Sequence, residues 1–344
     1  MKKILLHYID NALEVNVRDH CTQPFIFLKE ALNKIGYSLE LTAQQSLSDV
    51  EWVFFINFEN VFPYHGIRAK WRLLKDLISD NKKRELYKEL KKRGELNKAI
   101  MFLWEGPTVS ALSYNETFLR RFKQVFSWHD GLVSKYNFYK FYLPVPSDIG
   151  VTGLMDFNNR NLLTAISWNK NSGAKNEMYQ FRKIEMMALA DLLGKMFKFY
   201  GQDWDKLEGD ERRLLDNYGG PVADKVEVLP KYRFCLCYEN VFGLPGYITE
   251  KIFDIMRCGV VPIYKGASNI KDYIPKNCFI DRDNFKSSTD LTDYLKSINE
   301  SQFNDYLNNI NQYLKSDDFK YFLPESFATN IIDRLHSISK ESCD

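Results

Sequence analysis

The residues best suited to chemistry lie between Glu239 and Lys251. An apolar run, Phe234 to Tyr238, ends in Glu239-Asn240, turns through Gly243, Pro245 and Gly246, and opens an apolar helix over 247–257 with Tyr247-Ile248-Thr249-Glu250-Lys251. Glycines let a backbone approach a ligand closely, and a helix start offers unpaired N–H groups and the positive end of its dipole. Lys251 adds a cation in the same turn, so the stretch suits a phosphate. Glu250 would oppose an isolated phosphate, but a carboxylate beside phosphate-binding groups suits a sugar hydroxyl, as in dinucleotide sites. Phosphate plus sugar hydroxyls describes a nucleotide sugar.

A second cation stands near another helix start. The polar loop "NKNSGAKNEM" (169–178) feeds a helix over 178–198 that carries Arg182. Its residues Phe181, Ile184, Ala188 and Leu192 form an apolar stripe, which predicts burial along the helix. An arginine there can fork onto a diphosphate; the plainer alternative is a surface arginine or one paired with Glu185. Three carboxylates follow apolar strands: Glu105 in "KAIMFLWEGP", Glu59 in "INFEN" and Asp130 in "SWHDG". Each can act as a base, bind a ligand or cap a loop. "DRD" (281–283) looks like the Asp-x-Asp of metal-binding glycosyltransferases, while the five histidines are dispersed and none has metal-ligand spacing. His129, beside Asp130, is the histidine nearest a candidate site.

Positioning these groups requires strand ends and helix starts on one side of a sheet. Strands at 3–9, 51–58, 98–107, 162–168 and 260–266 alternate with helical segments in both halves of the chain, which predicts two parallel-sheet α/β domains. Ligands in such sheets bind at the carboxyl ends of strands. The Pro- and Gly-rich "LPVPSDIGVTG" (143–153) reads as a linker, giving domains over 1–147 and 154–320 and a helical tail over 321–344. In "AIMFLW", Ile100, Phe102 and Trp104 share one face, which is expected to be the buried one. The helical pattern from Ala69 to Leu96 contains the charge-dense "NKKRELYKELKKRGELNK", either a solvated face or a basic surface for anionic lipid or a lipid-linked diphosphate.

At 344 residues, 45% hydrophobic and 27% charged, the chain has the make-up of a globular protein of two domains. A net charge of +2 does not argue for nucleic acid. The N-terminal apolar run breaks at His7 and Asp10, which favours a first strand over a signal sequence, and no stretch approaches ~18 apolar residues. The six cysteines are scattered without a Cys-x-x-Cys pair, so they read as reduced thiols. These features predict a cytoplasmic protein, with a peripheral place at the inner face of the cytoplasmic membrane as the finer option.

"YRFCLCYENVFGLPGYITEKIFDIMRCGVVPIYKG", followed by "IPKNCFID", resembles the α-1,3-fucosyltransferases of glycosyltransferase family 10, in a bacterial form. "RKIE" with "FYGQDW", and "FLWEGP", are similar to weaker family motifs. The resemblance implies a GT-B fold, with two Rossmann-like α/β domains facing across a cleft: an N-terminal domain for the acceptor glycan and a C-terminal one for GDP-fucose. It implies inverting transfer in one displacement. By position, Arg182 and Lys251 would hold the diphosphate, Asn240, Tyr247 and Glu250 would contact the fucose, the ribose or both, and Glu105 would take the acceptor's proton. Glu250 would also offset oxocarbenium character at the anomeric carbon. Two cations can replace a metal ion, so no metal or other cofactor is expected. The expected partners are a GDP-sugar and an acceptor oligosaccharide, with a lipid-linked glycan of lipopolysaccharide or capsule synthesis as the finer reading. Loop 169–177 carries no family signature, which leaves another GDP-linked deoxy sugar or a heptose as an alternative donor. A non-catalytic glycan- or nucleotide-sugar-binding protein on the same fold is a further alternative; the lack of an N-terminal Gly-x-Gly-x-x-Gly disfavours a dehydrogenase.

Overall fold

The computed structural model describes residues 2–7, 23–41, 46–63, 65–66, 69–78, 85–136, 138–146 and 155–341. Two compact units emerge: Met1–Pro146 with Phe322–Asp344, and Ser147–Tyr321. Much of the Pro- and Gly-rich segment, 147–153, lies outside the described residues, as do Cys21 and Cys343. Cys235, Cys237, Cys258 and Cys278 are free thiols and buried.

The first unit holds six strands: β1 (Lys2–His7), β2 (Tyr37–Leu41), β3 (Val50–Ile56), β4 (Ala99–Leu103), β5 (Gln124–Ser127) and β6 (Tyr139–Lys140). Their order is β2-β1-β3-β4-β5-β6, parallel throughout. The second unit holds β7 (Asn161–Ile166), β8 (Phe197–Tyr200), β9 (Tyr232–Tyr238), β10 (Val261–Lys265) and β11 (Ile280–Asp281). They lie in the order β11-β10-β9-β7-β8, again all parallel. Counted from its own first strand, each sheet begins with the doubly wound order 2-1-3-4-5. The order reverses between β1 and β3 in one unit and between β7 and β9 in the other, and such a reversal opens a crevice at the strands' carboxyl ends.

Parallel strands covered by helices on both sides are apolar on both faces. All five residues of β4 are buried, so the expected one-sided burial of Ile100, Phe102 and Trp104 does not hold. The two faces differ instead in what they meet. Met101 and Leu103 join a cluster with Tyr87, Leu90 and Phe118. Phe102 and Trp104 meet Phe25 of the helix Gln23–Lys34 and Phe327 of the helix Pro324–Glu341. The C-terminal helix, read from sequence as a tail, is thus part of the first unit's core, and Arg334 Nε donates to Gln124 Oε1 at 2.8 Å.

The helical pattern over 69–96 resolves into the helices Ala69–Ile78 and Leu86–Arg93. No helix among the described residues is long and apolar enough to cross a membrane.

Candidate active site

The centre of the second unit's carboxyl end is Glu239, one residue past β9 and fully buried. A buried carboxylate is costly without partners, and this one has several. Its Oε1 accepts from the N–H of Thr249 at 2.9 Å and from the Thr249 hydroxyl at 3.0 Å. Its Oε2 accepts from Lys251 Nζ at 3.0 Å and also lies 3.0 Å from that hydroxyl. Lys251 Nζ donates to Thr249 Oγ1 at 3.0 Å as well. Burial alone would depress the Lys251 pKa, but the carboxylates Glu239 and Glu250 outweigh it and raise the pKa, so the ammonium is held charged.

Local sequence explains why the helix starts here. Thr249 has extended backbone and its hydroxyl caps the helix Glu250–Arg257, accepting from the N–H of Lys251. Gly243 and Gly246, with φ of +81° and +83°, take the left-handed turns between strand and helix. The Gly243 N–H donates to Gly266 O at 2.9 Å and the Gly246 N–H to Asn269 Oδ1 at 2.9 Å, tying the loop to the residues after β10. Gly266 makes room for the carboxylate itself: a Cβ there would stand 2.5 Å from Glu239 Cγ and 2.6 Å from the Tyr264 hydroxyl.

Arg182 reaches the same residue from the helix Tyr179–Leu193. Its Nη2 donates to Tyr238 O at 2.9 Å and Glu239 O at 3.3 Å. Those are its hydrogen bonds to the described residues, so Nε and Nη1 keep donors to offer although the side chain is only 6% exposed. Burial lowers its guanidinium pKa, but an arginine stays charged. The buried stripe of this helix is not the one read from sequence. Tyr179, Arg182, Met186, Leu189 and Leu193 face inward, whereas Ile184 and Leu192 are exposed. The helix carries apolar residues on both sides, and ion pairs decide between them. Glu185 receives a two-pronged pair from Arg282 at 2.8 and 3.1 Å, and Lys183 pairs with Glu211 at 3.0 Å. Arg182 is therefore neither a surface arginine nor the partner of Glu185.

Lys251 and Arg182 thus converge on one residue. Glu250 is half-buried in the helix's first turn, and Asn240 accepts at its carbonyl from the Met178 N–H at 3.0 Å. Tyr247 is buried. A third cation, Lys265 at the end of β10, lies 4.3 Å from the Phe242 ring centroid and 5.3 Å from that of Phe181, and pairs with Asp283. Asp281 pairs with Lys271 at 2.7 Å, so both "DRD" carboxylates are engaged within the protein. Sequence reasoning noted Glu239 at the end of the apolar run but gave it no role, and gave Gly266 none. The available signal was a carboxylate directly after an apolar strand, which demands a partner.

In the first unit, Glu105 follows β4. Asn57, itself in left-handed backbone at φ +57°, accepts at Oδ1 from the N–H groups of Trp104 (2.8 Å) and Glu105 (3.1 Å), and the Tyr114 hydroxyl donates to Glu105 O at 2.6 Å. The Glu105 side chain is half-buried. Asp130 pairs with Lys140 at 2.6 Å and Glu59 accepts from the Ser110 hydroxyl. Burial lowers the His129 pKa.

Residues 199–333 match the model of the glycosyltransferase family 10 (fucosyltransferase) C-terminal region, a span that contains Glu239, Thr249, Glu250, Lys251 and Gly266. The match lies in the C-terminal part of the chain and does not reach the sheet of the first unit. It is similar to the Helicobacter pylori alpha-(1,3)-fucosyltransferase FucT, 40% identical over 84 residues that make up 24% of this chain and 17% of that protein. It is also similar to an Arabidopsis thaliana alpha-(1,4)-fucosyltransferase, 41% identical over 69 residues, 20% of this chain and 17% of the relative. These matches thus span less than a fifth of either relative. A crystal structure of an alpha1,3-fucosyltransferase aligns over 96% of this chain and 88% of its own, with a TM-score of 0.54 and 16% identity. The Anabaena protein HepE, solved with UDP, aligns over 98% and 100%, with a TM-score of 0.57 and 12% identity. The fold of this protein is of the GT-B class, built from two Rossmann-like units.

Proposed function

We propose that this protein transfers L-fucose from GDP-fucose to a hydroxyl of an acceptor glycan, with inversion, as an α-1,3-fucosyltransferase. The observation that carries the reading is the convergence of Arg182 and Lys251 on Glu239 beside the reversal of the second sheet. Departing GDP gains negative charge, and cations already held in place stabilise it without reorganising. Arg182 contributes Nε and Nη1, Lys251 its ammonium, and the helix behind Thr249 its N-terminal dipole. Glu250 offsets positive charge at the anomeric carbon, and Asn240 and Tyr247 complete the donor end. Glu105 accepts the proton of the acceptor hydroxyl as its oxygen bonds to the anomeric carbon and the bond to GDP breaks. The cations take the part a divalent ion plays elsewhere. The finer reading places the protein at the inner face of a bacterial cytoplasmic membrane, acting on a lipid-linked glycan of lipopolysaccharide or capsule.

The test is incubation with a panel of GDP-sugars and UDP-sugars in excess EDTA, with mass-spectrometric detection of transferred or hydrolysed sugar. Turnover of GDP-fucose in chelator is expected. Turnover of a different GDP-sugar would replace the donor, loss restored by Mn²⁺ or Mg²⁺ would overturn metal independence, and GDP binding without any turnover would favour a binding protein.

A further inference from the structure

Two residues past the end of β7, Trp168 presents an indole that is 49% exposed. It is nevertheless pinned. Its Nε1–H donates to Asp203 Oδ2, and Lys170 Nζ lies 4.3 Å from the ring centroid. The backbone beneath continues the β7–β8 ladder beyond both strands: the Ser167 N–H donates to Tyr200 O and the Asn169 N–H to Gln202 O, each at 3.0 Å. Asn169 Nδ2 donates to Asp203 O at 3.1 Å. Gly201, at φ +132°, permits this close approach, since a Cβ there would stand 1.9 Å from Ser167 O. Asp203 holds left-handed backbone at φ +62°.

The sheet register relates this platform to the cations. Ala165 pairs with Leu236, so continuing the same parallel register sets Trp168 level with Glu239. Adjacent strands lie about 5 Å apart. An aromatic plane with a carboxylate at its edge therefore stands one strand away from the residue on which Arg182 and Lys251 converge.

We propose that Trp168 and Asp203 form the nucleobase end of the donor site and select guanine, an assignment that rests on the GDP-sugar reading above. An indole face stacks on the flat base. Asp203 Oδ2 already accepts from Trp168 and Oδ1 from Lys206, and each oxygen keeps a second lone pair. Guanine presents N1–H and N2–H side by side, two donors for two carboxylate oxygens. Hypoxanthine lacks the second donor, and uracil has no such paired edge.

Calorimetric titration of the full chain with GDP, IDP and UDP tests this, using the wild type, Asp203→Asn and Trp168→Ala. Asparagine tolerates the left-handed backbone and can still accept from the indole N–H, so the loop is kept. The wild type is expected to prefer GDP over IDP by roughly tenfold or more, as for loss of a charge-assisted hydrogen bond. Asp203→Asn should bring that ratio close to one, and Trp168→Ala should weaken GDP and IDP alike by about tenfold or more. An unchanged GDP/IDP ratio in Asp203→Asn, or wild-type GDP affinity in Trp168→Ala, overturns the assignment while leaving the fucosyl-transfer reading standing. Failure of the wild type to bind GDP overturns both.

Discussion

At the carboxyl end of β3 the chain passes directly into the short helix Asn57–Val61, whereas at the end of β9 residues 239–249 separate strand from helix. Both are third strands of sheets with the same starting order, and both border the reversal point. The short junction uses its first residue, Asn57, to hold the backbone after β4, so its effect is on where Glu105 begins. The long junction supplies two left-handed glycines, a buried carboxylate and a capping threonine, and leads directly to Lys251 in the first turn of the helix. Equal topology thus offers two crevices, and the proposed anion site lies at the one whose strand-to-helix junction is long and carries these groups.

Perturbing either side sharpens the contrast. The largest expected effect is on chemistry in the first unit. Glu105→Gln should bind GDP as the wild type does and lose transfer by about 10²–10⁴-fold, because the amide cannot take a proton. Transfer above about a tenth of the wild-type rate would move the base elsewhere, with Asp130 and Glu59 next to examine.

The next largest effect is on stability in the second unit. Glu239→Ala leaves Lys251 without its buried partner and should cost about 3–5 kcal/mol, read by urea unfolding. A loss under about 1 kcal/mol would mean that Glu239 is not the anchor of the loop. Lys251→Ala leaves the buried Glu239 carboxylate without its cation, so it is expected to be a folding variant as well as a binding one.

Arg182→Ala separates those two effects better, since its bonds within the protein are to carbonyls. Its kcat/KM is expected to fall roughly 10- to 150-fold, the loss of one charge-assisted contact. Wild-type kcat/KM would place the diphosphate elsewhere.

The smallest effect belongs to the short junction. Asn57→Ala should destabilise the first unit by about 1–3 kcal/mol through two lost N–H acceptors and a strained left-handed alanine, and should lower transfer while GDP affinity stays unchanged. An equal fall in GDP affinity would show that the two junctions are not independent.

What the sequence by itself determined is local. Alternating apolar runs and helical stretches were enough for two parallel α/β sheets, since each element's pattern is written in its own residues. Tyr247-Ile248-Thr249-Glu250-Lys251 announced a helix start, read as opening at 247, whereas the helix begins at Glu250 behind its Thr249 cap. Tertiary structure decided what depends on partners far along the chain. The inward stripe of the helix Tyr179–Leu193 turns on Arg282 reaching Glu185. The role of Glu239 turns on the space left by Gly266, and the final helix finds its place through Phe327 against Phe102 of β4 and Phe25 of the helix Gln23–Lys34, both far away along the chain. Burying a charge or an aromatic ring is favourable or costly according to the group it meets. That group is chosen by the packing, and no periodicity in the sequence records it.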